Sequence, residues 1–162
     1  MSIFHPKYAF HRVYDIPPQW FLDHGISVVL LDVDNTLTTH DNPVPDAMVL
    51  NWIDQMQQKN IRLMVLSNNS EARVAPFASR LGIGYIANAA KPLAGALNRA
   101  LAQMKVEKNK VALVGDQIFT DILCGNFSNV LSILVEPIEL ESFPFFKFKR
   151  KMEKLVLKNF KR

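Results

Sequence analysis

Four acidic residues, a hydroxyl and a lysine stand out because each comes just after a short apolar run. Asp32-Val33-Asp34-Asn35-Thr36-Leu37 follows the run at 27–31, and Ser67-Asn68-Asn69 follows the run at 61–66. Lys91-Pro92 comes soon after 83–87, while Gly115-Asp116 ends 111–115 and Asp121 lies five positions further on. Alternation along an extended segment puts Asp32 and Asp34 on one face near its tip. If these segments end together, the carboxylates repel one another unless a cation lies between them. Hard oxygen ligands that leave room for water and phosphate suit Mg²⁺. A carboxylate beside such an ion can attack phosphorus and form an aspartyl-phosphate, splitting one difficult displacement into two easier ones. A second acid two positions on can protonate the leaving oxygen and then activate water. A lysine and a serine hydroxyl can hold the phosphoryl oxygens.

The elements that must position these groups alternate along the chain. The runs at 27–31, 61–66, 83–87, 111–114 and 130–135 predict five strands, the first buried on both faces. Between them, Pro45 opens a helical pattern with Met48, Trp52, Ile53 and Met56 on one face. Residues 70–81 predict a helix ended by Gly82, 92–104 a helix with Pro92 in its first turn, and 120–126 a short helix. This alternation predicts an α/β fold with a doubly wound, parallel five-stranded sheet. Ligands bind such sheets outside the carboxyl ends of the strands, which is where all the singled-out residues fall. The segment 1–25, rich in aromatics, His and Pro, is expected to wrap the surface.

At 162 residues the chain is the size of one domain, expected to span 1–162 with a core at about 26–137. Its 49% hydrophobic and 21% charged residues exclude disordered and fibrous classes. The single cysteine, Cys124, excludes an internal disulfide or a Cys-rich metal site and reads as a buried helix residue. No apolar run approaches the about 18 residues that span a bilayer, and the N-terminus lacks a signal-peptide core. A cytoplasmic protein is the expectation.

The net charge of +4 is uneven: the segment 143–162 carries a net +7, and the rest of the chain a net −3. Wound as a helix, 143–162 puts Phe145, Phe148, Met152, Leu155, Val156 and Phe160 on one side with most basic residues opposite. Two placements follow: packing on the sheet with lysines exposed, or peripheral contact with an anionic membrane at its inner face. Nucleic acid is not an expected partner, because no aromatic-and-glycine recognition motif accompanies the charge.

Asp32-x-Asp34-Asn35-Thr36, then Ser67, Lys91 and Gly115-Asp116-x-x-x-x-Asp121, resembles in order and spacing the four motifs of the haloacid dehalogenase-like phosphohydrolases. The Asp-Asn-Thr, Lys-Pro and Gly-Asp-Gln details resemble the YqeG-type branch of its third subfamily, whose eukaryotic and plastid relatives are phosphatidylglycerophosphate phosphatases. The resemblance covers about two thirds of the chain. It implies a Rossmann-like core with Asp32 as nucleophile and Asp34 as acid/base, and with Ser67, Asn68 and Lys91 binding substrate. It also implies Mg²⁺ held by Asp32, Asp116 and the Asp34 backbone carbonyl, with Thr36 and Asp121 behind them. A helix and a strand use up most of the chain between Asp34 and Ser67, leaving no space for the cap domain of many relatives. The site is therefore expected to be open and suited to a bulky phosphomonoester, or to be covered by a neighbouring subunit. As substrate, a phosphorylated lipid head group comes first, and nucleic-acid or protein phosphate is the alternative. A calcium loop is disfavoured because Asp32-x-Asp34 lacks that loop's Gly and downstream Glu. A receiver domain is disfavoured because the third strand ends in Ala87-Asn88 without an acid. A non-catalytic phosphate-binding module remains the rival from another class. His40, in the segment after the first motif, reads as a surface histidine within reach of the site.

Overall fold

The computed structural model describes residues 2–139, 144–158 and 160. Among them, six strands run parallel in the order β1-β6-β5-β2-β3-β4. They are β1 (Tyr8–Phe10), β2 (Val28–Leu31), β3 (Arg62–Leu66), β4 (Gly84–Ile86), β5 (Val111–Gly115) and β6 (Leu131–Val135). The five expected strands are present, and the sixth corrects the expectation for the N-terminal segment. Tyr8 to Phe10 does not merely wrap the surface; it pairs with Ile133 to Val135 of β6. Three partly exposed residues are too few to show a strand pattern, and as an edge strand β1 has a single neighbouring strand, β6.

Helices α1 (Pro18–Asp23), α2 (Ala47–Gln58), α3 (Glu71–Leu81), α4 (Gly95–Met104), α5 (Leu123–Ser128) and α6 (Pro144–Leu157) complete the fold. Alternation along β2 feeds two cores: Val29 and Leu31 pack with Trp52, Ile53, Met56 and Phe77 of α2 and α3. Val28 and Leu30 pack on the other face with Leu97, Ala100 and Cys124 of α4 and α5. Asp46 caps α2 by accepting from the Met48 amide at 2.7 Å. Gly82 ends α3 at φ 70°.

Three helical details differ from expectation. Met48 is exposed and Val49 takes its place on the buried face of α2, because that face is centred one residue further along the helix. Pro92 lies in a turn before α4, since the Lys91 backbone is tied to Asn68 rather than to a helix. The helix expected at 120–126 is instead a π-helical turn (Ile118–Ile122) running into α5. From β2 the chain winds outward through β3 and β4, then crosses back to β5 and β6. The topological switch thus falls between β2 and β5, where a crevice opens at their carboxyl ends.

Candidate active site

Asp32 leaves the tip of β2 with its amide bonded to the Val114 carbonyl of β5. The chain then folds back tightly: the amides of Thr36 and Leu37 bond the Val33 carbonyl, and Asn35 takes φ 61°. Asn tolerates this left-handed conformation better than most residues, and the Asn35 amide and carbonyl are both used, with Thr38 and Ile138. This turn sends Asp34 toward α3. Its carboxylate accepts from the Asn69 side chain at 2.9 Å, from Arg73 at 3.0 Å and from the Asp41 amide at 3.0 Å. Burial alone would raise the Asp34 pKa, but these three donors outweigh it and hold the carboxyl below its usual range.

Lys91 is the hub of the site. Its buried ammonium donates to Asp32 at 3.1 Å, to Asp121 at 2.6 Å and to the Leu66 carbonyl at 2.7 Å. Burial disfavours its charge, yet Asp121 and Asp32 more than compensate and raise its pKa. Asp32 is itself perturbed: burial first, then Asp121, push it up to about 6, with Lys91 opposing. Asp116, fully buried, is driven well above the carboxylate range by burial and by Asp32, although Arg150 opposes the shift.

Asp121 approaches the end of β5 because residue 115 is glycine. A Cβ there would fall 2.2 Å from the Asp121 carboxyl, which Lys91 and the Gln117 amide hold in place. The Gly-Asp spacing is thus a steric requirement of the rim.

The oxygens of Asp32, Asp116 and Asp121 lie within 4.8 Å of one another. Three hard anionic donors, two of them reluctant to ionise without a compensating cation, fit a divalent metal. Thr36 donates to Asp116 at 3.4 Å from behind. Ser67, at the tip of β3, accepts from the Asn69 amide at 3.1 Å and faces a cleft of about 270 Å³ shared with Asp32, Asp34 and Lys91. Asn68 also lines this cleft, but both ends of its amide are engaged by the Lys91 backbone, at 3.0 and 2.7 Å. It positions the lysine turn while it faces the cleft. His40 reaches the cleft mouth, 3.2 Å from Asp41 and with its ring 6.4 Å from Phe146. A larger cavity of about 450 Å³ opens at the amino ends of β2, β5 and β6, but among the described residues it gathers no carboxylate and lies away from this chemistry.

The structure adds residues that sequence reasoning missed. Asn69, in the loop before α3, and Arg73, in the first turn of α3, both reach Asp34, and their closeness to Ser67 in the chain could have drawn notice. Arg150 carried no such signal. From α6 it donates to the Asp116 carbonyl at 2.7 Å and pairs with the Asp116 carboxylate, while Glu153 accepts from Arg150 and from the Ile118 amide, both at 2.9 Å. This corrects the expected packing of the tail. The helix does lie on the body, but it docks through Phe146, Arg150, Glu153 and Leu157, not through the Phe145–Phe148–Met152–Leu155 stripe, which is exposed. A buried carboxylate needs a cation more than the sheet needs further apolar cover. Val156 joins the docked side, against Ile118, Ile122 and Leu134. Phe143, Asn159, Lys161 and Arg162 of the expected helix lie outside the described residues.

Residues 19–126 match the family model for haloacid dehalogenase-like hydrolase. The chain is 33% identical over 161 residues to the probable phosphatase YqeG of Bacillus subtilis, covering 99% of this chain and 94% of that one. It is 26% identical over 96 residues to phosphatidylglycerophosphate phosphatase 1 (chloroplastic/mitochondrial) of Arabidopsis thaliana, a match to 59% of this chain and 28% of that longer protein. Among solved structures, the cobalt-bound deoxy-D-mannose-octulosonate 8-phosphate phosphatase YrbI of Haemophilus influenzae shares the fold. Its TM-score is 0.53 at 18% identity, covering 83% of this chain and 89% of that one. With two thirds of its length matched by the family model and nearly all of it by one relative, the chain belongs to the haloacid dehalogenase-like hydrolases.

Proposed function

We propose that the protein is a Mg²⁺-dependent phosphomonoester hydrolase working through an aspartyl-phosphate on Asp32. The observation that carries this reading is the buried Lys91 ammonium, 3.1 Å from Asp32, on a rim with three further carboxylates, those of Asp34, Asp116 and Asp121. Asp32 and Asp116 would hold the ion, with the Asp34 carbonyl that the family resemblance implies and with Asp121 beside them; when bound it supplies positive charge to the phosphoryl oxygens. Asp32 attacks phosphorus in line with the ester oxygen; the P–O bond breaks and Asp34 gives the departing alkoxide its proton. Asp34, again a carboxylate, then takes a proton from water, which attacks the phosphorus on Asp32 and releases inorganic phosphate. Lys91 and Ser67 hold the phosphoryl oxygens through both steps. Arg73, Asn69 and the Asp41 amide stabilise ionised Asp34, so substrate has to loosen these contacts when Asp34 acts as acid.

The substrate is a phosphate on a lipid head group. Supporting this are the cleft, which no domain covers among the described residues, the basic helix at its edge and the similarity to a named phosphatidylglycerophosphate phosphatase. The reading includes peripheral contact of α6 with an anionic membrane. Beryllium fluoride with Mg²⁺, a mimic of the phosphoryl group on Asp32, tests the chemistry. It should inhibit and should stabilise the fold by about 2.7 kcal/mol at a hundredfold excess over its dissociation constant. Absence of a melting shift at saturation overturns the covalent route.

A further inference from the structure

Helix α6 turns its faces the wrong way for a helix that merely covers a sheet. Its inward side carries Arg150 and Glu153, each bonded to the Asp116–Ile118 segment. Its outward side carries Phe145, Phe148, Met152 and Leu155, exposed by 71, 65, 38 and 63%. Spaced i, i+3, i+7 and i+10, these four form one stripe along a helix about 21 Å long. Lys147, Lys151, Lys154 and Lys158 form a second exposed row beside it. The helix contains one acid, Glu153, and that is buried.

We propose that this outward face is an interfacial lipid-binding surface that holds the catalytic cleft against an anionic bilayer. The inference deepens the lipid-phosphate reading above and rests on it for its substrate. An apolar stripe bordered by lysines matches the boundary between acyl chains and anionic head groups. A second copy of the chain fits poorly, since an exposed apolar stripe meeting its copy would bring two lysine rows together with no exposed carboxylate on the helix between them. The geometry also orients the molecule: Phe146, next to the first stripe residue, lines the cleft that holds Asp32 and Asp34. The Arg150 and Glu153 bonds keep the stripe from turning inward, so docking requires no unfolding of the body.

Co-sedimentation of the full chain with vesicles tests this without any turnover, using phosphatidylcholine alone or with one third phosphatidylglycerol, at about 0.1 and about 0.5 M salt. Binding should occur only to the anionic vesicles and weaken with salt. Changing the four lysines to Gln should weaken it about fivefold per residue, a hundredfold or more together. Phe145→Ser with Phe148→Ser and Leu155→Ser should abolish it. Both variants should keep the wild-type melting temperature and hydrolyse a small soluble phosphate ester at the wild-type rate. Negligible retention under all conditions overturns the proposal, as does retention that neither variant changes. A dimer that Phe148→Ser dissolves, without vesicle binding, also overturns it and assigns the stripe to a second copy. Vesicle binding by a protein that hydrolyses no ester removes the catalytic reading and leaves the lipid surface standing.

Discussion

The strand-end rim and helix α6 handle charge in opposite ways. The rim concentrates four carboxylates at the ends of β2 and β5 and offsets them from within with Lys91 and Arg73. Helix α6 lends its buried cation, Arg150, to that rim and leaves Phe145, Phe148, Met152 and Leu155 in solvent. Hydrophobicity alone would have docked the helix on its other side. An ion left unpaired in the interior costs more than several exposed apolar side chains, and this decides the docking.

The largest effect should come from the centre of the rim. Asp32→Asn should reduce turnover of a soluble phosphate ester to background, since an amide is a poor nucleophile; wild-type-like turnover would break the assignment. Asp34→Asn should slow turnover by roughly 10²–10⁴ while Mg²⁺ binding, followed by calorimetry, stays close to wild type.

Arg150→Met probes the link between the two regions. It leaves Asp116 buried without its partner and should cost about 3–5 kcal/mol in urea unfolding with EDTA present. Mg²⁺ should recover part of that loss, because the same carboxylate can then meet a metal. An unchanged unfolding midpoint would show that α6 is not tied to the rim through this pair.

A pH series sharpens the picture. Asp32 has a folded pKa of about 6 against an ordinary 3.8. Between these values the folded protein retains a proton that the unfolded chain has lost, so with EDTA this group's contribution makes stability fall as pH rises through the window. A metal requires the carboxylate, so the melting shift produced by Mg²⁺ should grow between about pH 5 and 7. Phe148→Ser should have the smallest effect, within about 0.5 kcal/mol, because the ring is 65% exposed. A larger loss would mean that the stripe is packed after all.

The rim was legible because its signals are local. Asp32, Ser67, Lys91 and Asp116 each come just after a strand or the loop beyond it, and a parallel sheet brings those ends together. Gly115 could be read as part of a motif, although its reason, the Asp121 carboxyl where a Cβ would be, is visible only in space. Asn68 illustrates a limit: its position beside Ser67 placed it at the cleft, but its tie to the Lys91 turn, 23 residues away, is visible only in space. Strand β1 shows another, since three half-exposed residues become a strand only when β6 offers them a partner.

Amino-acid order by itself determined the alternating elements, the parallel sheet and the end of the sheet where the acids gather, because strand periodicity and strand ends are properties of neighbouring residues. It also determined that α6 is amphipathic and basic. Which side of α6 turns inward was decided by tertiary structure. The inward pull comes from the buried Asp116 carboxylate and the Ile118 amide, far earlier in the chain, and no periodicity within the helix records where they lie.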